Sequence, residues 1–204
     1  MALIDDFNRA DSGNLGGNWT LDPIGVTWNS LDTWLNHCRA DQATAFGGNY
    51  YNAQSFGPDC DVSCDINAMP TTGQIRIMCR LENAGLPTAT GYELEIDPSN
   101  AYLVRLNSDG SRTTLEVYGS AFAAGNKMKL EAIGTAIKAY RDSGAGFVQI
   151  MSQTDATHAG SGSSKVAVLM VNDLDGVVDN FNATTIGAPP GGGSVRRRSL
   201  MGVG

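Results

Sequence analysis

The sequence has no apolar run near the roughly 20 residues that a membrane-spanning helix requires. Its opening, MALIDDFNRAD, carries two acids within six positions and no basic stretch, so no secretory leader is expected. Histidine is scarce: His37 and His158 stand far apart and in no ligand-like spacing. None of Cys38, Cys60, Cys64 and Cys79 forms a Cys-x₂-Cys pair, which argues against a four-ligand zinc site. With no leader, a reducing compartment and free thiols are expected. Basic residues are short as well, 14 against 21 acidic, a net charge of −7 that argues against a surface built to grip nucleic acid or anionic lipid. There is no G-x-S-x-G elbow, P-loop, dinucleotide fingerprint or EF-hand loop. No 12-residue stretch offers an amphipathic helix.

What the chain has in quantity is alternation. Cys60 to Ala68 and Gln74 to Glu82 switch between apolar and polar at nearly every residue. Tyr92 to Asp97, Ala101 to Leu106, Arg112 to Tyr118 and Lys127 to Ile133 follow, then Ile137 to Arg141, Phe147 to Met151, Val166 to Val171 and Val177 to Phe181. Strands about 10 residues apart, punctuated by Gly, Asn, Asp and Pro, predict an all-β antiparallel sandwich or barrel. Pro70-Thr71-Thr72-Gly73 reads as the turn of a hairpin whose register sets Ala68 opposite Ile75, Ile66 opposite Ile77, Cys64 opposite Cys79 and Val62 opposite Leu81. Cys64 and Cys79 would then face each other in the core, as small buried hydrophobes with free thiols or as a cross-strand disulfide. Ile4-Asp5-Asp6-Phe7-Asn8 echoes Val178-Asp179-Asn180-Phe181-Asn182, which predicts that two terminal strands pair and close the domain.

Two parts of opposite charge are visible. Residues 1–187 hold eleven basic and twenty-one acidic residues, whereas 188–204 hold three arginines and no acid. Residues 188–194 form a Pro/Gly linker, followed by Arg196, Arg197 and Arg198 and by the apolar Leu200, Met201 and Val203. Fully extended, this arm spans up to about 56 Å. Three arginines are a weak nucleic-acid signal beside so acidic a body, so the expected partner of the arm is an acidic protein surface, including a second copy of the chain.

Asp5-Asp6-Phe7-Asn8-Arg9-Ala10-Asp11 with Leu15-Gly16-Gly17-Asn18-Trp19-Thr20 resembles the start of concanavalin A-like (laminin-G-like) jelly-roll domains, including those of phage proteins. Ser55 to Asp59, Gly91-Tyr92-Glu93-Leu94, Lys127 to Ala132, Ile137 to Arg141 and Val178 to Phe181 are similar to later strands of that family. The resemblance covers about residues 3–187 and leaves the basic arm outside. It implies a jelly-roll β-sandwich of two curved sheets, with carbohydrate bound on the concave side in some members. Combined with the arm, it leads to a non-enzymatic subunit of a larger assembly. The expected setting is a bacteriophage virion, as capsid decoration or tail component assembled in the host cytoplasm, with other virion proteins and itself as partners.

The alternative is a lectin-like host-recognition module. Trp28, Trp34, Tyr50 and Tyr51, with nearby asparagines, are the candidate sugar platform. A glucanase-like hydrolase comes third. Glu93-Leu94-Glu95-Ile96-Asp97 places three acids on one strand face but does not reproduce the order of a glucanase pair, and the acids read most simply as the solvent face of a half-buried strand. Calcium is the one cofactor to consider, with Asp5, Asp6, Asp173 and Asp179 as its ligands.

Overall fold

The computed structural model describes residues 2–21, 23–24, 29–40, 46–160, 164–171 and 175–187. The linker and the arm, with Arg196, Arg197, Arg198, Leu200, Met201 and Val203, lie outside them, as do Trp28 and Asp173. Among the described residues there is no helix, and fifteen strands form two antiparallel sheets. The first sheet runs β13 (Phe147–Thr154), β12 (Ala136–Asp142), β11 (Lys127–Ile133), β6 (Cys60–Ala68), β15 (Val177–Thr185), β4 (His37–Ala40) and β3 (Leu31–Trp34). Next to β4, β1 (Ala2–Asp5) takes up the remaining length of β15. The second sheet runs β10 (Arg112–Tyr118), β9 (Ala101–Leu106), β8 (Thr90–Ile96), β7 (Gln74–Glu82), β14 (Lys165–Val171), β5 (Phe46–Tyr51) and β2 (Trp19–Leu21). The inner faces close on one core that includes Val62, Ile66, Leu130 and Phe181 from the first sheet and Ile77, Tyr92, Leu94 and Val168 from the second.

The expected terminal pairing is present: Ala2 lies opposite Ala183 and Asp5 opposite Phe181. The expected β6–β7 hairpin is not. β6 pairs with β11 and β15 while β7 pairs with β8 and β14, so residues 69–73 carry the chain from one sheet to the other. The physical reason is that an alternating apolar face satisfies a same-sheet neighbour and a facing sheet equally well, and a five-residue connection can cross the roughly 10 Å between sheets. All four cysteines are free and buried. Burial, with the neighbouring Cys60 thiol adding to it, raises the Cys79 thiol.

The outer face of the second sheet is also covered. Met78, Leu81, Leu106, Ala167, Leu169 and Val171 form a second apolar cluster there, joined by Ala84 and Ala89 of the β7–β8 connection and by Ile24 and Tyr50. This explains why β14 reads as an unbroken apolar run rather than an alternation. Next to that cluster, Arg76 of β7, Glu93 and Glu95 of β8 and Arg112 of β10 form a buried charge network. Glu93 is fully buried and Glu95 nearly so, which corrects the expectation of a solvated acidic face. Arg76 on the adjacent β7 and Arg112 on β10, one strand further along the sheet, cover the acids, and the pattern of one strand cannot reveal cover supplied by others.

One end of the sandwich is tied by Asp155. Its carboxylate accepts from Arg105 Nη1 (2.6 Å), the Thr157 N–H (2.7 Å) and the Tyr92 hydroxyl (3.2 Å). His158 serves the same knot, since its N–H donates to the Tyr92 oxygen (3.2 Å) and its Nε2 meets the Leu106 carbonyl (2.9 Å). Burial raises the Asp155 carboxyl, but the hydrogen bonds from Thr157 and Arg105 outweigh it and bring it down to about 2. A depressed carboxyl stabilises the fold above its unfolded value near 4, and that contribution is lost as the pH falls through 2. Urea midpoints should therefore drop between about pH 4 and 2, and Asp155→Asn should remove about 1 kcal/mol of that dependence after allowance for solvent screening. An unchanged acid limb in Asp155→Asn would contradict this assignment.

Candidate functional site

The β3–β4 hairpin turns through Leu35 and Asn36, both at positive φ (49° and 64°), the geometry of a two-residue type I′ turn. A leucine in that conformation is costly, and Leu35 is solvent-exposed. The turn brings Trp34 to the rim of the first sheet, 38% exposed, directly opposite His37. Arg39 stacks over the indole with its guanidinium carbon 4.3 Å from the ring centroid, and its Nε lies 3.3 Å from the buried carboxylate of Asp32. Asp32, Arg39 and Trp34 thus form a stack that holds the indole in place before any ligand arrives.

Two depressions meet at this hairpin. One, of about 540 Å³, is mainly apolar and is lined by Trp34, Leu35, Ile66, Ala68 and Val177, with His37, Asn67 and Gly125 at its rim. The other, of about 270 Å³, is polar and is lined by Asp6, Asn8, Asn36, His37, Asp179 and Asn180. His37 is common to both. Its Nδ1 lies 3.4 Å from Asp179 Oδ2, and the Asn67 amide is 3.0 Å from the same ring nitrogen. Burial raises the Asp179 carboxyl, against the lowering effect of the Asn180 N–H and His37. Asn180, at φ 48° inside an irregular stretch of β15, donates to Asp65, which Lys127 also contacts at 3.0 Å. An aromatic wall, an apolar floor and a cluster of acceptors suit a ligand with one apolar face and several donors.

The residues singled out by sequence fall into separate places. Trp34 lies at the site, but Tyr50 and Tyr51 belong to β5 in the second sheet. Tyr50 packs on the outer apolar cluster, and Tyr51 meets Trp19 edge-on at 5.4 Å. Asp6 and Asp179 line the same polar depression. Asp5 is committed elsewhere, accepting from Arg9 at 2.7 and 2.9 Å, Trp19 Nε1 at 2.7 Å and the Phe7 N–H at 2.8 Å. Among the described residues no three His, Cys, Asp or Glu side chains are grouped to hold a metal ion. Glu93 and Glu95 both accept from Arg112 Nη2. His37, Asn36 and Asn180 were missed because neither a lone histidine nor an asparagine outside a motif signals a site.

No family model and no curated protein matches the chain. Solved structures do. A carbohydrate-binding module, CBM66 from Bacillus subtilis, superposes with a TM-score of 0.57 at 15% identity, covering 82% of this chain and 96% of that one. The fold is that of the concanavalin A-like lectins and glucanases. The VIP36 exoplasmic/lumenal domain in its Ca²⁺-bound form gives a TM-score of 0.61 at 11% identity, covering 92% and 90% of the two chains. The Bacillus licheniformis β-glucanase gives 0.58 at 13% identity, covering 90% and 97%. At such identities the concanavalin A-like likeness is one of fold, and the site has to be argued from its own residues.

Proposed function

We propose that the protein is a non-catalytic carbohydrate-binding module that seats a sugar ring against Trp34. The observation that carries this reading is the indole, fixed from behind by Arg39 and open to a mainly apolar depression that continues into a cluster of acceptors. A pyranose has one apolar face for the ring and a rim of hydroxyls for Asp6, Asn36, His37 and Asp179. The fold neighbours add weight, since one is a carbohydrate-binding module and VIP36 is also described in a Ca²⁺/Man-bound form. The non-catalytic part of the reading rests on Glu93 and Glu95. A glycosidase pair must reach the scissile bond, whereas here Glu93 is fully buried and both acids are engaged by Arg112. The reading as a virion subunit rests on residues 188–204, outside the described part, and a sugar site on the body is compatible with it.

Calorimetric titration against a panel of soluble oligosaccharides tests the proposal. Trp34→Ala should weaken binding by about tenfold or more while the near-ultraviolet dichroism of the buried aromatics is unchanged. Trp34→Phe should recover part of the loss. Undiminished binding by Trp34→Ala would remove Trp34 from the site.

A further inference from the structure

Charge divides the chain into unequal parts. Residues 1–187 hold eleven basic and twenty-one acidic residues, and residues 188–204 hold three arginines and no acid. The polar depression has the sign of the body, with Asp6 and Asp179 beside His37 and no lysine or arginine in its lining. Neighbouring cations are engaged elsewhere: Arg9 with Asp5, Lys127 with Asp65, and Arg39 with Asp32 and the indole. The apolar depression next to it leaves Trp34 38% and Leu35 59% exposed.

Two properties of β15 relate these surfaces to the C-terminal arm. One is order. The strand begins at Val177, which lines the apolar depression, passes Asp179 and Asn180, which line the polar one, and ends at Thr185. A chain that leaves Thr185 and returns along the strand therefore reaches the polar depression first and the apolar one second. The arm carries its groups in that same order, Arg196, Arg197 and Arg198 before Leu200, Met201 and Val203.

The other property is length. At a strand's rise per residue, Thr185 stands about 20 Å from Asp179 and about 26 Å from Val177. A Gly-rich tether as long as Thr185 to Arg197 has a root-mean-square span of about 17–21 Å, and one as long as Thr185 to Met201 about 20–24 Å. A tether whose span matches the separation of its sites gives the highest effective concentration, an advantage that a second copy of the chain lacks.

We propose that residues 196–203 dock on the Trp34 site of their own molecule, and that a sugar has to displace them. The arginines lie along the polar depression, and Leu200, Met201 and Val203 cover the apolar one. Ion pairs at an exposed surface are individually weak, so the arm is a displaceable cover. The docking stands on charge, order and length; only the competition rests on the carbohydrate reading above.

Disulfide trapping in the full chain tests the docking. The four native thiols are buried, so Leu35→Cys with Leu200→Cys supplies the one exposed pair. Under oxidised glutathione at low ionic strength, this pair should close within one chain about tenfold faster than Leu86→Cys with Leu200→Cys. Leu86 is the control because it is 52% exposed on the β7–β8 connection of the other sheet. Salt near 1 M, or Asp6→Asn with Asp179→Asn, should bring the two rates closer together. Equal rates at low salt would overturn the docking. Links formed only between chains would overturn its intramolecular form in favour of a second copy.

Oligosaccharide titration of a variant with Arg196→Ser, Arg197→Ser and Arg198→Ser and native cysteines reads the competition. Its sugar affinity should exceed that of the unaltered chain by about three- to tenfold. Unchanged affinity would overturn the competition. Absence of binding across the whole panel in this variant would overturn the carbohydrate reading, and the competition with it, and leave the docking standing on the trapped link.

Discussion

Arg112→Ala should destabilise the protein by about 3–5 kcal/mol, more than any other surface-reaching substitution considered above. Arg112 is partly exposed, yet it contacts both Glu93 and Glu95, which are withdrawn from water on the outer face of the second sheet. Arg76 is the other guanidinium within reach, at 3.8 Å from Glu93 and 3.3 Å from Glu95. One side-chain oxygen of Glu93, Oε1, already lacks a hydrogen-bond partner. Removal of Arg112 therefore leaves two buried carboxylates sharing one buried cation, and an uncompensated buried charge costs several kcal/mol. Replacement of the whole network is a different experiment. With Arg76, Glu93, Glu95 and Arg112 changed together to apolar residues of matched volume, stability should return to near the starting value. Urea unfolding with a constant m-value would measure both effects. A loss below about 1 kcal/mol in Arg112→Ala would mean that water reaches the acids.

Deletion of residues 2–9 should abolish cooperative folding, and Phe7→Ala alone should cost about 3–5 kcal/mol. Phe7 is fully buried, with its ring centroid 6.0 Å from that of Trp19, which also meets Phe181 at 5.2 Å and Tyr51 at 5.4 Å. Asp5 secures this aromatic group by accepting from the Trp19 indole N–H, from both terminal nitrogens of Arg9 and from the Phe7 amide. The short β1 segment thus adds more than its own pairing with β15. It positions the residues that fill the space between the sheets at that edge. Scanning calorimetry and near-ultraviolet dichroism would follow the loss, and a truncated chain that melts like the full one would contradict it.

The later strands were legible because their inner faces alternate strictly, as in Lys127–Ile133, where Met128, Leu130 and Ala132 are buried in turn. Sheet membership was not legible, because Cys64 and Ile66 present the same apolar face whether their partner is beside them or across the core. The first quarter was opaque for another reason. Its strands are short, and the turn at Leu35-Asn36 lacks the glycine that marks most two-residue hairpins. Trp34 could be named from its residue type, and Asp6 and Asp179 as acids. Their meeting with His37 could not be read, since these residues come from separate segments that meet only after β15 has entered the first sheet.

The position of β15 has a consequence for how the protein is made. The last described strand lies in the interior of the first sheet, between β6 on one side and β4 and β1 on the other. The amide of Ala2 reaches its acceptor, Thr184 Oγ1, across 182 residues of sequence. On a ribosome, where chains emerge at about 5–20 residues per second, β1 leaves the exit tunnel first and must wait roughly 9–37 seconds for its neighbour. In the second sheet, β7 to β10 pair in chain order and can assemble from nearby segments in the meantime, whereas β14, β5 and β2 depend on distant partners. The polar depression beside His37 is then among the last features to form, because Asp6 and Asp179 come together only once β15 has entered the first sheet.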